Sequence, residues 1–197
     1  MHVHVADHAA ASGSRLTAAA DDGHRVPVTL GVMSRCPDAL YCETIFDQVL
    51  SASAKQLQAS TTSTTTTINS LVDLQLSFIG TINSTVEGGV ACRHGQQECE
   101  GNVHELCFMH KLRSKRAGKE YDLSPSAAQR TWWEYVQCLN YEGTAKIGQV
   151  ALAKKCANIV GGPKWEGSGG IQECVEGKEG TSLLKKSVVQ SHKLGIM

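Results

Sequence analysis

Cys36 and Pro37 lie where an apolar stretch ends and a helical pattern begins. Residues 26–33 are short, apolar and β-branched, which is typical of a buried strand. Pro37 suits the first turn of a helix, where its missing N–H costs nothing. A cysteine at a helix N-terminus meets unpaired backbone N–H groups that favour the thiolate, and the thiolate is the species that attacks a disulfide. Cys36 is therefore the predicted catalytic nucleophile.

The second catalytic candidate is Cys42. A partner thiol commonly stands three residues after the nucleophile, as in Cys-x-x-Cys motifs, but that position is Ala39 and the next cysteine is Cys42. Six residues of regular helix separate two side chains by roughly a turn and two-thirds. Because bridged Cα atoms lie within about 7 Å, a Cys36–Cys42 disulfide would require the first turn to unwind. Cys42 is thus either the resolving thiol or a packed or structurally paired cysteine.

A second cluster of cysteines and histidines occupies residues 92–107. Four zinc ligands could be drawn from this region, which offers Cys92, His94, Cys99, His104, Cys107 and His110. The intervals of six and seven residues between its cysteines are longer than the two to four residues of a zinc knuckle. Structural disulfides are the favoured use of these cysteines and of three later ones, Cys138, Cys156 and Cys174. No metal and no other cofactor is predicted.

The pattern around these residues predicts an α/β fold. A strand at residues 26–33, a helix after Pro37 and a strand at residues 71–82 form a unit whose two strands should be parallel neighbours. The threonine-rich residues 60–67 are expected to be an enlarged loop. Later segments are predicted to be helices: residues 103–112, 124–139 and 144–159, and one or two helices in 169–192. The helix at 124–139 has Ser124 as its cap and Pro125 in its first turn.

Composition limits the partners and the compartment. The chain has 197 residues, with nineteen basic and nineteen acidic side chains, so its charge gives no basis for binding nucleic acid or an anionic membrane. No stretch approaches the 18 apolar residues of a membrane span. Eight cysteines favour an oxidising or endolysosomal compartment, but they allow 105 pairings, so their connectivity is left open. Asn83, in Asn-Ser-Thr, is a candidate glycosylation site.

The N-terminus does not match a secretory route. Residues 1–24 are rich in His, Ala, Ser and Asp without periodicity, and are interpreted as a disordered leader before a domain at residues 25–197. Asp7, His8 and Arg15 interrupt any apolar core, so the sequence as given shows no signal peptide.

Residues 92–107 resemble the signature of the gamma-interferon-inducible lysosomal thiol reductases, Cys-x-His-Gly-x-x-Glu-Cys-x-x-Asn-x-x-x-x-Cys. The matching positions are Cys92, His94, Gly95, Glu98, Cys99, Asn102 and Cys107. The order of elements and a later Trp-x-x-x-Gln-Cys stretch ending at Cys138 extend the resemblance over roughly residues 26–195. The spaced Cys-Pro-Asp-Ala-x-x-Cys motif is similar to the fungal form.

This resemblance implies a thioredoxin-like fold with a helical insertion at about residues 92–165. It also implies reduction of protein disulfides, in the family's case at acidic pH, in a secretory, endolysosomal or extracellular setting. A small thiol is the expected reductant. Two departures stand against it. Ala39 replaces the usual resolving cysteine, and no proline precedes a late strand, so we expect the C-terminal β-hairpin to be lacking. The alternative is a non-catalytic, disulfide-stapled secreted scaffold, as a degenerate or truncated member of the family would be.

Overall fold

The structure, a computed structural model, describes residues 2–5, 25–53, 67–113 and 123–196. In these ranges the chain is a mixed α/β protein, mostly helical, with two small sheets. Its strands are β1 (His2–Val5), β2 (Val26–Val32), β3 (Val72–Phe78), β4 (Thr81–Ile82) and β5 (Val90–Ala91). Its helices are α1 (Pro37–Ser51), α2 (Ile68–Leu71), α3 (Gln96–Arg113), α4 (Pro125–Tyr141), α5 (Val150–Ile159), α6 (Ile171–Glu176) and α7 (Lys178–Lys193).

The larger sheet has the order β1-β2-β3. Strands β2 and β3 are parallel, with Val28 opposite Leu74 and Val32 opposite Phe78, which confirms the predicted pair of parallel neighbours. The second strand ends at Phe78 rather than near residue 82, because the next residues form β4 and pair antiparallel with β5. Helix α1 connects the two parallel strands and begins at their C-terminal edge, so this edge positions Cys36.

Residues 2–5 form a strand, although they belong to the segment expected to be a disordered leader. Strand β1 pairs antiparallel with β2, with His2 opposite Gly31 and Val5 opposite Val28. The sequence His-Val-His-Val alternates with the period of two of a strand, a local signal that the composition of the whole leader obscured. The rest of that leader, and residues 60–66 of the threonine-rich tract, lie outside the described residues.

The outer edge of β3 is covered by side chains from several helices. The Leu74 N–H donates to Oε1 of Gln129 on α4, at 2.7 Å. At the other end of the strand, the Phe78 N–H donates to Oγ of Ser187 on α7 at 2.8 Å, and the Phe78 carbonyl accepts from Oγ of Ser191 at 2.9 Å. Because an uncovered edge would leave these peptide groups unpaired, the helices take the place of a further strand here.

Several helix boundaries differ from the predicted ones. Helix α3 begins at Gln96, seven residues before the expected start at residue 103, and α5 begins at Val150 instead of residue 144. Gly148 has φ +94°, in the left-handed region that a right-handed helix excludes, which accounts for the late start of α5. Helix α4 begins as predicted, with Ser124 Oγ accepting from the Ala127 N–H at 3.3 Å. None of the described helices is long and apolar enough to cross a membrane.

We expect Gln129→Leu to destabilise the fold. Gln129 is 2% exposed, and besides the Leu74 N–H it accepts from Arg25 Nη2 at 2.6 Å. Leucine leaves the buried Leu74 N–H without an acceptor, so the free energy of unfolding should fall by about 1–3 kcal/mol in urea titration. Arg130→Ala, at an exposed ion pair on the same helix, is the control and should stay within about 0.5 kcal/mol. An equal loss in both variants would contradict this role of Gln129.

Candidate functional site

Cys36 is the N-cap residue of α1, as the sequence predicts, and Pro37 is the first residue of the helix. The Cys36 N–H donates to the Met33 carbonyl at 3.0 Å, and the Cys36 carbonyl accepts from the Leu40 N–H at 3.1 Å. The residue is partly exposed and its thiol is free. The strand end, the turn and the first helical hydrogen bond thus hold this thiol at the positive end of the helix dipole.

Cys42 is also a free, partly buried thiol, and the structure does not join it to Cys36. Helix α1 is continuous from Pro37 to Ser51. At 1.5 Å per residue, six residues correspond to about 9 Å along the helix axis. Because bridged Cα atoms must lie within about 7 Å, a Cys36–Cys42 disulfide requires the first turn of α1 to open.

The turn before Cys36 is held by helix α3. Ser34 is buried, and its backbone N–H donates to Asn102 Oδ1 at 3.1 Å. Its hydroxyl donates to the Glu98 carbonyl at 3.2 Å. A Cβ on Gly101 would lie 2.6 Å from Ser34 Oγ, so the close approach of α3 to this turn requires glycine there. Two of the contacting residues, Glu98 and Asn102, belong to the signature.

Arg35 fastens the outer side of the same turn. Its Nε donates to the Thr144 carbonyl at 2.9 Å, and its Nη1 donates to Gln97 Oε1 at 2.6 Å. The predicted site residues do not include Ser34, Arg35 or Gly101. Their position directly before Cys36 or inside the signature was the available signal, but their partners are 62 to 109 residues away.

The signature folds into a disulfide-closed turn at the start of α3. Cys92 and Cys99 are bonded to each other, and the Gly95 N–H donates to the Cys92 carbonyl at 3.2 Å. Gly95 has φ +86°, which explains why glycine suits this position. Asn102 Nδ2 donates to Cys92 Sγ at 3.7 Å. One amide side chain therefore links the signature disulfide to the turn that carries Cys36.

His94 and Glu98 form a pair inside this turn. The Glu98 side chain is fully buried, and Oε1 accepts from the His94 backbone N–H at 3.2 Å. The second carboxylate oxygen contacts His94 Nδ1, which donates when that nitrogen carries the proton. The pair satisfies a buried carboxylate locally, so its role in this conformation is to fix the disulfide turn.

The other signature cysteine joins helices. Cys107 of α3 is bonded to Cys174 of α6, and Cys138 of α4 is bonded to Cys156 of α5. Six of the eight cysteines are thus paired, in agreement with the disulfide interpretation, and the structure supplies the connectivity that the sequence left open.

The zinc alternative conflicts with this geometry. Cys92, Cys99 and Cys107 are in disulfides, so their sulfurs are not the free thiolates that bind zinc. His104 is buried against Trp165, with ring centroids 5.6 Å apart, and burial lowers its pKa to about 4. Within the described ranges no three His, Cys, Asp or Glu side chains are grouped as a metal site would require.

A free cysteine that caps a helix directly after a strand is typical of thiol-dependent oxidoreductases. The chain belongs to the gamma interferon inducible lysosomal thiol reductase family, whose model matches residues 27–160. It is similar to GILT-like protein 1 of Drosophila melanogaster, with 25% identity over 177 residues. That alignment covers 88% of this chain but 62% of the relative, so the chain spans less than two thirds of the relative's length. No solved structure matches the chain.

We expect Asn102→Leu to loosen the turn that carries Cys36. The substitution removes the acceptor of the buried Ser34 N–H, which should lower the free energy of unfolding by about 1–3 kcal/mol. Amide hydrogen exchange at Ser34 should become faster relative to that in α7. Gln97→Ala removes only the surface contact with Arg35 and should change the stability by less than about 0.5 kcal/mol. Unchanged exchange at Ser34 in Asn102→Leu would show that the bond does not hold the turn.

Proposed function

We propose that the protein is a thiol–disulfide oxidoreductase that reduces protein disulfides through Cys36. The observation that carries the proposal is a free, partly exposed thiol at the N-cap of α1, in a chain whose other described cysteines, except Cys42, are in disulfides. Membership of a thiol reductase family supports this activity.

The reaction follows thiol–disulfide exchange. The Cys36 thiolate attacks one sulfur of a substrate disulfide, a Cys36–substrate disulfide forms, and the other substrate sulfur leaves as a thiolate that takes up a proton. A second thiolate then attacks the Cys36 sulfur, so that a disulfide forms between Cys36 and the second thiol while the remaining substrate sulfur leaves as a thiolate and takes up a proton. Exchange of that disulfide with a small thiol returns Cys36 to its reduced state. With Ala39 at the usual resolving position, this second thiol is Cys42 or a small-molecule thiol. The closed first turn of α1 favours the small thiol, because Cys42 reaches Cys36 only if that turn opens.

We also propose that β2, α1 and β3 correspond to the core of a thioredoxin-like fold, with helices from about residue 92 as the insertion. The parallel pairing of β2 with β3 and the position of Cys36 at the end of β2 support this assignment. The expected lack of a C-terminal hairpin stays a prediction. Among the described residues, those after Ala91 that form regular structure are helical.

A secretory, endolysosomal or extracellular location fits the same proposal. Three disulfides persist most readily in an oxidising compartment. Asn83 lies in a turn after β4, where its Oδ1 accepts from the Thr85 N–H at 2.9 Å and the Thr85 hydroxyl at 2.7 Å. Thr85 is exposed and Asn83 partly so, which leaves the acceptor triplet open to a glycosyltransferase.

The proposed glycosylation has a direct test. Expression through the secretory pathway of an animal cell, behind an added signal peptide, should yield a product whose mass falls on treatment with an N-glycosidase. Asn83→Gln should abolish that shift, whereas Asn69→Gln, which is outside any acceptor triplet, should keep it. A shift that persists in Asn83→Gln would place the glycan elsewhere.

The second candidate function is the non-catalytic, disulfide-stapled scaffold. The observation that favours it is the separation of Cys36 from Cys42 by nearly two turns of closed helix, which denies Cys36 an adjacent resolving thiol. On this hypothesis no thiol of the protein alkylates quickly at pH 5–6.

Cysteine substitutions separate the two functions. We expect Cys36→Ser to reduce insulin disulfides no faster than the small thiol alone and to lose the rapidly alkylated thiol, because no other described cysteine caps a helix as a free thiol. Cys42→Ser is the matched control. Unchanged turnover with a small thiol assigns resolution to that thiol, and an accumulating Cys36–substrate disulfide assigns it to Cys42. Full activity in Cys36→Ser would contradict the proposed reductase.

A further inference from the structure

Helix α1 has an acidic residue on its buried face. Ala39, Glu43 and Leu50 are the buried residues of this helix, and Glu43 is only 2% exposed. Glu43 directly follows Cys42 and lies seven residues after Cys36, which is about two turns along the same face. The Glu43 carboxyl group is therefore on the buried face of the helix that carries both free thiols.

The surroundings of Glu43 are polar but contain no counter-ion. Asn140 on α4 donates its Nδ2 hydrogen to Glu43 Oε2 at 2.6 Å. Glu105 on α3 is a second carboxyl, also 2% exposed, and the Tyr135 hydroxyl on α4 is buried without a partner in the described structure. In the part of the chain that is described, neither carboxyl forms a salt bridge.

Burial favours the protonated forms of Glu43, Glu105 and Tyr135. It raises the pKa of Glu43 to about 7, although the hydrogen bond from Asn140 opposes the shift. The pKa of Glu105 is raised well above its usual value, first by burial and then by the charge of Glu43. The pKa of Tyr135 is raised by burial and by the charge of Glu105. Because two buried carboxylates repel each other, the pair holds protons at acid pH and becomes doubly charged only at an unfavourable cost.

We propose that Glu43 and Glu105 are a positioning pair for Cys36, and that they hold α1 against α4 while protonated and loosen it when both ionise. The role as a positioning pair rests on the proposed function of Cys36, whereas the effect on α1 does not. The protein would thus keep its reactive helix in place in an acidic compartment and lose that placement as the pH rises past neutrality.

Other titratable groups lie on the helices around this pair. On α1, Asp47 lies one turn further and accepts from Trp133 Nε1 at 2.9 Å. On α3, His104 adjoins Glu105, and on α4 the titratable neighbour is Tyr135. Helix α2, which also packs on α1, has no titratable side chain.

The sign of the pH dependence differs between these groups. A carboxyl whose folded-state pKa is raised stabilises the fold most below its unfolded value of 4.5, and for Glu43 this stabilisation disappears as the pH rises through about 7. His104, whose pKa is lowered to about 4, acts in the opposite sense and loses stabilisation as the pH falls below 6.5. Substitution of the carboxyls is therefore needed to isolate their share.

The test uses the full chain with Glu43→Gln and Glu105→Gln, and Glu100→Gln as the control at an exposed position of α3. Thermal unfolding and amide exchange in α1, referenced to α7, are measured from pH 4.5 to 8.5. We expect each variant to raise the Tm at pH 8 by roughly 5–10 °C and to change it little at pH 5. The control should follow the wild type. Exchange in α1 should rise with pH relative to α7 in the wild type and less so in the two variants.

Disulfide reduction across the same pH range supplies the second measurement. The rate per thiolate should decline above pH 7 in the wild type and hold in Glu43→Gln. If Tm and α1 exchange depend on pH in both variants as they do in the wild type, the proposal is overturned. If neither variant folds, wild-type exchange is the test: exchange in α1 that does not rise with pH relative to α7 overturns the proposal. The same Tm and exchange measurements on Cys36→Ser do not depend on activity, so failure of the proposed reductase is recognised separately.

Discussion

The side chain of Asn102 connects the two halves of the candidate site. Its oxygen accepts from the Ser34 N–H two residues before Cys36, and its nitrogen donates to a sulfur of the Cys92–Cys99 disulfide. A buried N–H without an acceptor costs about 1–3 kcal/mol, so the turn into α1 depends on this amide. The disulfide and the His94–Glu98 pair of the signature lie at the start of the helix that supplies Asn102.

The helices after the signature also cover the open edge of the three-stranded sheet. Strand β3 lies at an edge, and its outward peptide groups bind side chains of α4 and α7 instead of another strand. Disulfides join α3 to α6 and α4 to α5, so α4, one of the helices that bind β3, is covalently linked to its neighbour. The helical part is thus a structural requirement of the strand–helix–strand unit that positions Cys36.

The buried titratable groups of the core stabilise the fold in two different pH ranges. His104 is buried and favours neutral pH, whereas Glu43 and Glu105 are buried without cations and favour acid pH. Glu43 lies on the helix of the free thiols and accepts from Asn140, whereas His104 packs on Trp165. The formal net charge of zero gives no sign of this pH dependence, because it counts all side chains alike, whether buried or exposed.

Local features of the sequence determined the placement of Cys36. A β-branched apolar run, Cys-Pro and a second apolar run predict a strand, a helix start and a parallel strand, and Ser124-Pro125 predicts the start of α4, because each signal lies within a few residues. Residues 92–107 likewise indicated the family from the sequence alone. Tertiary structure alone decided the disulfide pairings, the Ser34–Asn102 bond and the Glu43–Asn140 bond. Each of these joins residues that are remote in the chain or on different elements, and no local pattern encodes which distant partner a buried group will find.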